Sequence, residues 1–110
     1  MPSYRFCRPD DMPRLVQAIN ECYNAHFPGN PPLTLDNFQR EVRELNVWPS
    51  NCMIAWRGEE PIAVSIATKR EREVLVQRVG VRPGHQRQGH GLHLVTSLSQ
   101  KLAVLGPSRL

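Results

Sequence analysis

The run 74-VLVQRVGV-81, followed at once by 82-RPGHQRQGHGL-92, limits what this chain can fold into more than any other stretch. By simple alternation Val74 and Val76 fall on one face of an extended strand, with Leu75, Val79 and Val81 on the other. A strand apolar on both faces needs cover on both sides, so helices must lie above and below a sheet. The second part places Gly84, Gly89 and Gly91 just before an amphipathic segment. Strand, glycine loop and helix start in succession suit an anion. The first amides of a helix have no intrahelical acceptor, the helix dipole adds partial positive charge, and glycine allows close backbone approach.

The spacing excludes two familiar phosphate loops. Gly84 and Gly89 have the separation of a Walker A loop, but His90 and Gly91 stand where Lys and Ser or Thr would meet γ-phosphate and magnesium. Gly89 and Gly91 begin a dinucleotide pattern, but Leu94 occupies the third glycine's place, and the strand is reached through a meander rather than a βαβ unit.

Upstream, 4-YRFCR-8 suits a short strand. The segment 9-PDDMPRLVQAINECY-23 reads as a helix capped by Asp10 or Asp11, with Met12, Leu15, Ile19 and Cys22 on one stripe. Prolines and a glycine in 28-PGNPP-32 break the chain. Thr34 caps a second helix, 35-LDNFQREVREL-45, whose apolar face is Leu35, Phe38, Val42 and Leu45. Residues 52-CMIAW-56 and 61-PIAVSIATK-69 form a hairpin, and residues 73–81 add a third strand. The last helix opens near Gly89 with Leu92, Val95, Leu98, Leu102 and Leu105 spaced by three and four, and Gly106 and Pro107 stop it.

Composition narrows the function classes. The chain has 110 residues, 40% of them hydrophobic and 22% charged, and reads as a single soluble domain over residues 1–110. No apolar run approaches the roughly 20 residues that cross a bilayer, and the polar N-terminus is no signal peptide, so the expected location is cytoplasmic, with no membrane partner. Three cysteines without a C-x-x-C pair read as small buried hydrophobes. Residues 1–66 carry six basic and eight acidic side chains, a net of −2, whereas residues 67–110 carry eight and two, a net of +6. A basic second half asks for a polyanion. Nucleic acid is not the expected one, because no aromatic lies beyond Trp56 and the final helix has only Lys101 as a cation. His85, His90 and His93 could meet a metal, but no carboxylate or cysteine lies near them in sequence, and no metal is expected.

Gln86, Gly89 and Gly91 satisfy [RQ]-x-x-G-x-[GA], preceded by V-x-V-x-P in 79-VGVRP-83. This resembles the acetyl-coenzyme A signature of the GNAT N-acetyltransferases, and the order of elements matches along essentially the whole chain. The resemblance implies an α/β (α+β) GNAT fold, a mostly antiparallel sheet with flanking helices. It implies acetyl-CoA as cofactor, with the pyrophosphate on the amides of Gln86, Arg87, Gln88, Gly89, His90, Gly91 and Leu92. Val79 and Val81 would pair through their main chain with the thioester carbonyl and the pantetheine arm, across a bulge eased by Gly80. Arg82 and Arg87 would meet the nucleotide's phosphates. An amine would then attack the thioester directly.

Two departures from the family pattern shape the remaining expectations. Members that use a carboxylate base often place it four residues before the position of Val79, where this chain has Leu75. Glu73, two residues further out, is the candidate catalytic base, with a surface carboxylate as the competing reading. The family's fold also continues with a strand parallel to residues 73–81, of which 108-SRL-110 would be the first residues. The expectation is thus an incomplete domain, truncated before the parallel C-terminal strand. Its open edge would be completed by a second copy or a C-terminal half-domain. A non-catalytic CoA-binding module is the alternative to a transferase, and the amine acceptor is open.

Overall fold

The computed structural model describes residues 2–105, in which four antiparallel strands lie in the order β1-β2-β3-β4. They are β1 (Ser3–Phe6), β2 (Met53–Arg57), β3 (Glu60–Arg70) and β4 (Glu73–Val81). Helices α1 (Met12–Ala18) and α2 (Leu35–Glu44) cover one face, where Leu15, Ala18 and Phe38 pack on Ile54, Val64 and Ile66. Helix α3 (His90–Leu105) covers the other. There Ala55, Ala63 and Ala67 present small side chains, so Leu94, Leu98 and Leu102 sit close against the sheet. The strand covered on both faces is therefore β3, whose residues from Pro61 to Thr68 are all buried, rather than β4. Among the described residues β4 is an edge.

The first helix departs from its expected single run. Asp11 does not cap α1; its carboxylate accepts from the Arg8 N–H at 2.8 Å, closing the short 3-10 turn Pro9–Asp11. After Ala18 the helix widens into one π turn, Ile19–Tyr23, followed by a 3-10 turn, Asn24–His26. The widened turn still buries Ile19 and Cys22 while moving the backbone towards β4. Asn20 holds the connection, donating to the Leu33 carbonyl at 2.9 Å and accepting from the Leu33 N–H at 2.8 Å. Thr34 caps α2 as its position dictates, its hydroxyl accepting from the Asn37 N–H at 3.1 Å. Only Phe38 of the expected stripe is fully buried; Leu35 and Leu45 are exposed. On α3 the buried stripe is Leu94, Leu98 and Leu102, and Leu92 is 74% exposed. Gly106, Pro107 and residues 108–110, and the side chain of Leu105, lie outside the described residues.

One irregularity sets the direction of β4. Ile66 pairs with Arg78 but Ala67 pairs with Val76, so Gln77 is an extra residue in the ladder. The expected bulge at Gly80 is thus displaced to Gln77. The insertion inverts alternation: Val79 and Val81 share the α3 face with Val74 and Val76, instead of opposing them. Gly80 then faces the π turn and has a different reason to be glycine. A Cβ there would lie 2.7 Å from the Cys22 carbonyl oxygen and 2.8 Å from the Tyr23 Cα. Its φ is not in the left-handed region, so the constraint is space alone. Gly80→Ala should therefore cost about 1–3 kcal/mol by overpacking, read from urea denaturation. A loss below about 0.5 kcal/mol would show that the π turn is not seated on β4.

Candidate functional site

The edge of β4, unpaired among the described residues, is the floor of the candidate site. Arg82 donates its N–H to the Ile62 carbonyl of β3 at 2.8 Å. In an antiparallel ladder the neighbouring residues alternate, so Gly80 also bonds inward while the main-chain groups of Val79 and Val81 point away from β3. One outward group is already engaged: His26 Nε2 lies 2.7 Å from the Val81 carbonyl oxygen. The side chains of Val79 and Val81 lie under the first turn of α3. A Cβ on Gly91 would meet Val79 Cγ1 at 3.5 Å and Val81 Cγ2 at 3.8 Å. Strand end and helix start are thus in direct contact.

Residues 82–89 join them. Gly84, Arg87 and Gly89 have φ of 92°, 64° and 83°, which curls the loop back towards the strand. Open space surrounds the missing Cβ of Gly89, so its dihedral, not crowding, calls for glycine there. The first helical bond runs from the His93 N–H to the Gly89 carbonyl at 2.9 Å. Helix geometry leaves the amides of His90, Gly91 and Leu92 without an intrahelical acceptor, in the positive field of a 16-residue helix with no acid in its first turn. Arg87 and Leu92 are exposed beside them. Arg82 is not available to phosphates as expected: its guanidinium pairs with Glu21, lies 3.5 Å from Glu60, and donates to the Pro61 carbonyl at 2.8 Å.

The loop is braced from behind by residues that alternation and motif gave no reason to join. The Tyr4 hydroxyl on β1 lies 2.6 Å from His90 Nδ1, and His90 Nε2 lies 3.0 Å from Gln88 Oε1. Gln88 Oε1 can only accept, so Nε2 carries a proton, and in the neutral imidazole Nδ1 accepts from the Tyr4 hydroxyl. His93 stacks on the Tyr4 ring at 3.8 Å between centroids. His90 is 5% exposed. Burial first, then the charges of His85, Arg57 and His93, hold its pKa below the ordinary 6.5. His90, whose amide is expected to meet the pyrophosphate, thus also has a structural side chain.

The candidate base does not join the cluster. Glu73 opens β4 opposite Arg70, six residues before Val79 and on the order of 17–20 Å away at about 3.3 Å per residue. Between them Leu75, Val76 and Gln77, with Leu45, Thr68 and Arg70, line a cavity of about 480 Å³ beside the bulge. The three cysteines are buried. Burial pushes Cys22 up to about 12 and Cys52 up to about 11, and raises Cys7 as well, so none is a thiolate at neutral pH.

The His90 environment has a pH signature. An unfolded chain binds a proton on His90 near pH 6.5, where the folded chain still refuses it. Its contribution to stability is complete above that pH and is lost as pH falls towards the depressed folded value. Melting temperature should therefore drop more between pH 7.5 and 5.5 in the wild type than in His90→Gln. Equal drops would contradict the buried neutral imidazole.

Comparison with known proteins places this geometry. The chain is similar to the ribosomal-protein-S18-alanine N-acetyltransferase of Escherichia coli, at 18% identity and a TM-score of 0.69, covering 98% of this chain and 63% of that one. It is similar to an aminoglycoside acetyltransferase from an uncultured soil metagenomic sample, solved with sisomicin, at 17% identity and a TM-score of 0.81, covering 98% and 74%. A GNAT family acetyltransferase from Brucella melitensis, solved with acetyl-CoA, matches at 15% identity and a TM-score of 0.71, covering 97% and 71%. These likenesses establish the fold, and the chain spans 63% of the length of the first of them. No curated protein matches closely enough to count as a relative. No helix among the described residues is long and apolar enough to cross a membrane. The model of the acetyltransferase (GNAT) family matches residues 12–109. The chain belongs to the acetyltransferase (GNAT) family.

Proposed function

We propose that this chain carries the acetyl-coenzyme A site of an N-acetyltransferase acting on an amine. The observation that supports it best is the contact between the two halves of one cradle: the outward amides of Val79 and Val81 and the unbonded amides of His90, Gly91 and Leu92. The cofactor fits that donor set. Its pyrophosphate suits the amides of residues 86–92, with Arg87 exposed alongside, and its pantetheine amides suit an unpaired strand edge. When bound, acetyl-CoA supplies a thioester whose carbonyl carbon an amine can attack, forming the C–N bond as the C–S bond breaks. The Val79 N–H would donate to the carbonyl oxygen as negative charge develops there. The neutral amine loses one proton from nitrogen, and the departing sulfur gains one.

The open edge of β4 and the greater length of the Escherichia coli relative support a further element beside β4, from a second copy or a C-terminal segment. Binding without turnover is a second reading, favoured by the distance of Glu73 from Val79. Relatives solved with aminoglycoside or acetyl-CoA do not choose the acceptor of this chain.

Calorimetric titration of acetyl-CoA into the 110-residue chain should give saturable one-to-one binding, lost in Gly89→Glu. The substitution forces a side chain onto a φ of 83° and puts a carboxylate beside the phosphates. Binding with thiol release across a panel of primary amines supports the transferase; binding with no release on any of them supports the second reading. Wild-type protein that does not bind would overturn both.

A further inference from the structure

His26 closes the 3-10 turn after the π turn and reaches across to β4, 55 positions away in sequence. Its Nε2 lies 2.7 Å from the Val81 carbonyl oxygen. A carbonyl only accepts, so Nε2 carries a proton and donates. The side-chain amide of Gln86 lies 3.5 Å from the same nitrogen. The facing atom is Gln86 Nε2; exchanging the amide's nitrogen and oxygen, which have the same shape, puts an acceptor there at the limit of bonding distance. One imidazole therefore lies against both the last outward carbonyl of β4 and the Gln86 side chain of the loop.

The placement matters because these two parts reach one ligand from different directions. Between them lie Arg82, Pro83, Gly84 and His85, and Gly84 at φ 92° has no neighbour within 4 Å of a Cβ position. The His85 N–H donates to the Arg82 carbonyl at 2.9 Å, so this turn orders residues 82–85, and His26 adds a tie between Gln86 and the strand end on the open side. A ligand that must touch both would bear the cost of ordering them, unless the chain orders them first. His26 also uses the Val81 carbonyl, leaving the N–H groups of Val79 and Val81 and the Val79 carbonyl for the ligand. The edge therefore offers one particular sequence of donors and acceptors.

We infer that His26 is a positioning residue for coenzyme A, holding the end of β4 and the glycine loop at the spacing the cofactor spans. The inference rests on the reading of this edge as the cofactor site. Its role lies in the N–H donated from Nε2, so a side chain presenting an N–H at similar reach can replace it. Glutamine does so; alanine does not.

The test uses the intact chain and coenzyme A itself, which needs no acceptor amine. Calorimetry compares wild type, His26→Ala and His26→Gln, with thermal melting as the control for folding. His26→Ala should weaken binding by about tenfold, the scale of one hydrogen bond's net contribution, with an unchanged melting temperature. His26→Gln should recover most of that loss. Long-range ¹H–¹⁵N imidazole spectra of the free chain should show His26 as the Nε2–H tautomer, with resonances that move on adding coenzyme A. Equal affinity in wild type and His26→Ala would overturn the role of His26 while leaving the cofactor site in place. Weakened binding with a parallel fall in melting temperature, or without recovery in His26→Gln, would also overturn it. Wild-type protein that does not bind would overturn the site reading together with the inference.

Discussion

The extra residue at Gln77 decides which way the second half of β4 faces, and the rest of the site depends on that direction. Without it, Val79 and Val81 would turn to the face that Gly80 now presents to the π turn, and Arg78 would turn to the α3 face. Burying a guanidinium there without a partner would cost several kcal/mol, on the order of 3–5. With the bulge, Arg78 reaches Glu41 at 3.0 Å and lies 5.6 Å from the centre of the Tyr23 ring. The two valines meet Gly91 instead. One inserted residue thus brings an apolar strand end under the first turn of a helix whose amides are free.

The remaining constraints lock that arrangement from three sides. The π turn sits on Gly80 so closely that no side chain fits between them. From behind, Tyr4 and His90 tie the helix start to β1. On the open side, His26 engages Val81. An unpaired strand edge is normally a liability. In the proposed reading it is the cofactor's docking edge, because an unpaired ladder offers the alternating donors and acceptors that an amide-bearing ligand can complete. The basic character of the second half is only partly a binding feature. Arg82 is committed to Glu21 and Glu60, which leaves Arg87 as the loop's exposed guanidinium.

Much of this was legible in the sequence, for reasons that are local. The bounds of β4, the cap at Thr34, the loop at Gly84, Gly89 and Gly91 and the helix after it all follow from neighbouring residues. What was not legible depends on distant partners or on register. A bulge leaves no composition signal at Gln77, so alternation carried straight through it gave the wrong face for Val79 and Val81. Gly80 was read as easing the bulge because Cys22, whose carbonyl it meets, lies 58 positions upstream. Tyr4 and His90 are 86 positions apart, and Arg82 and Glu21 are 61 apart. On α3 the spacing of leucines supports two stripes, and only packing against Ala55, Ala63 and Ala67 selects the one with Leu94.

Amide hydrogen exchange, followed residue by residue with and without coenzyme A, tests the central claim most directly. Gly80 and Arg82 bond inward to β3 and should exchange slowly in both states. Val79 and Val81 should exchange fast in the free chain and slow markedly when coenzyme A is added, together with His90, Gly91 and Leu92. Protection of Val79 and Val81 equal to that of Gly80 in the free chain, or no change in any of the five on adding coenzyme A, would contradict the account.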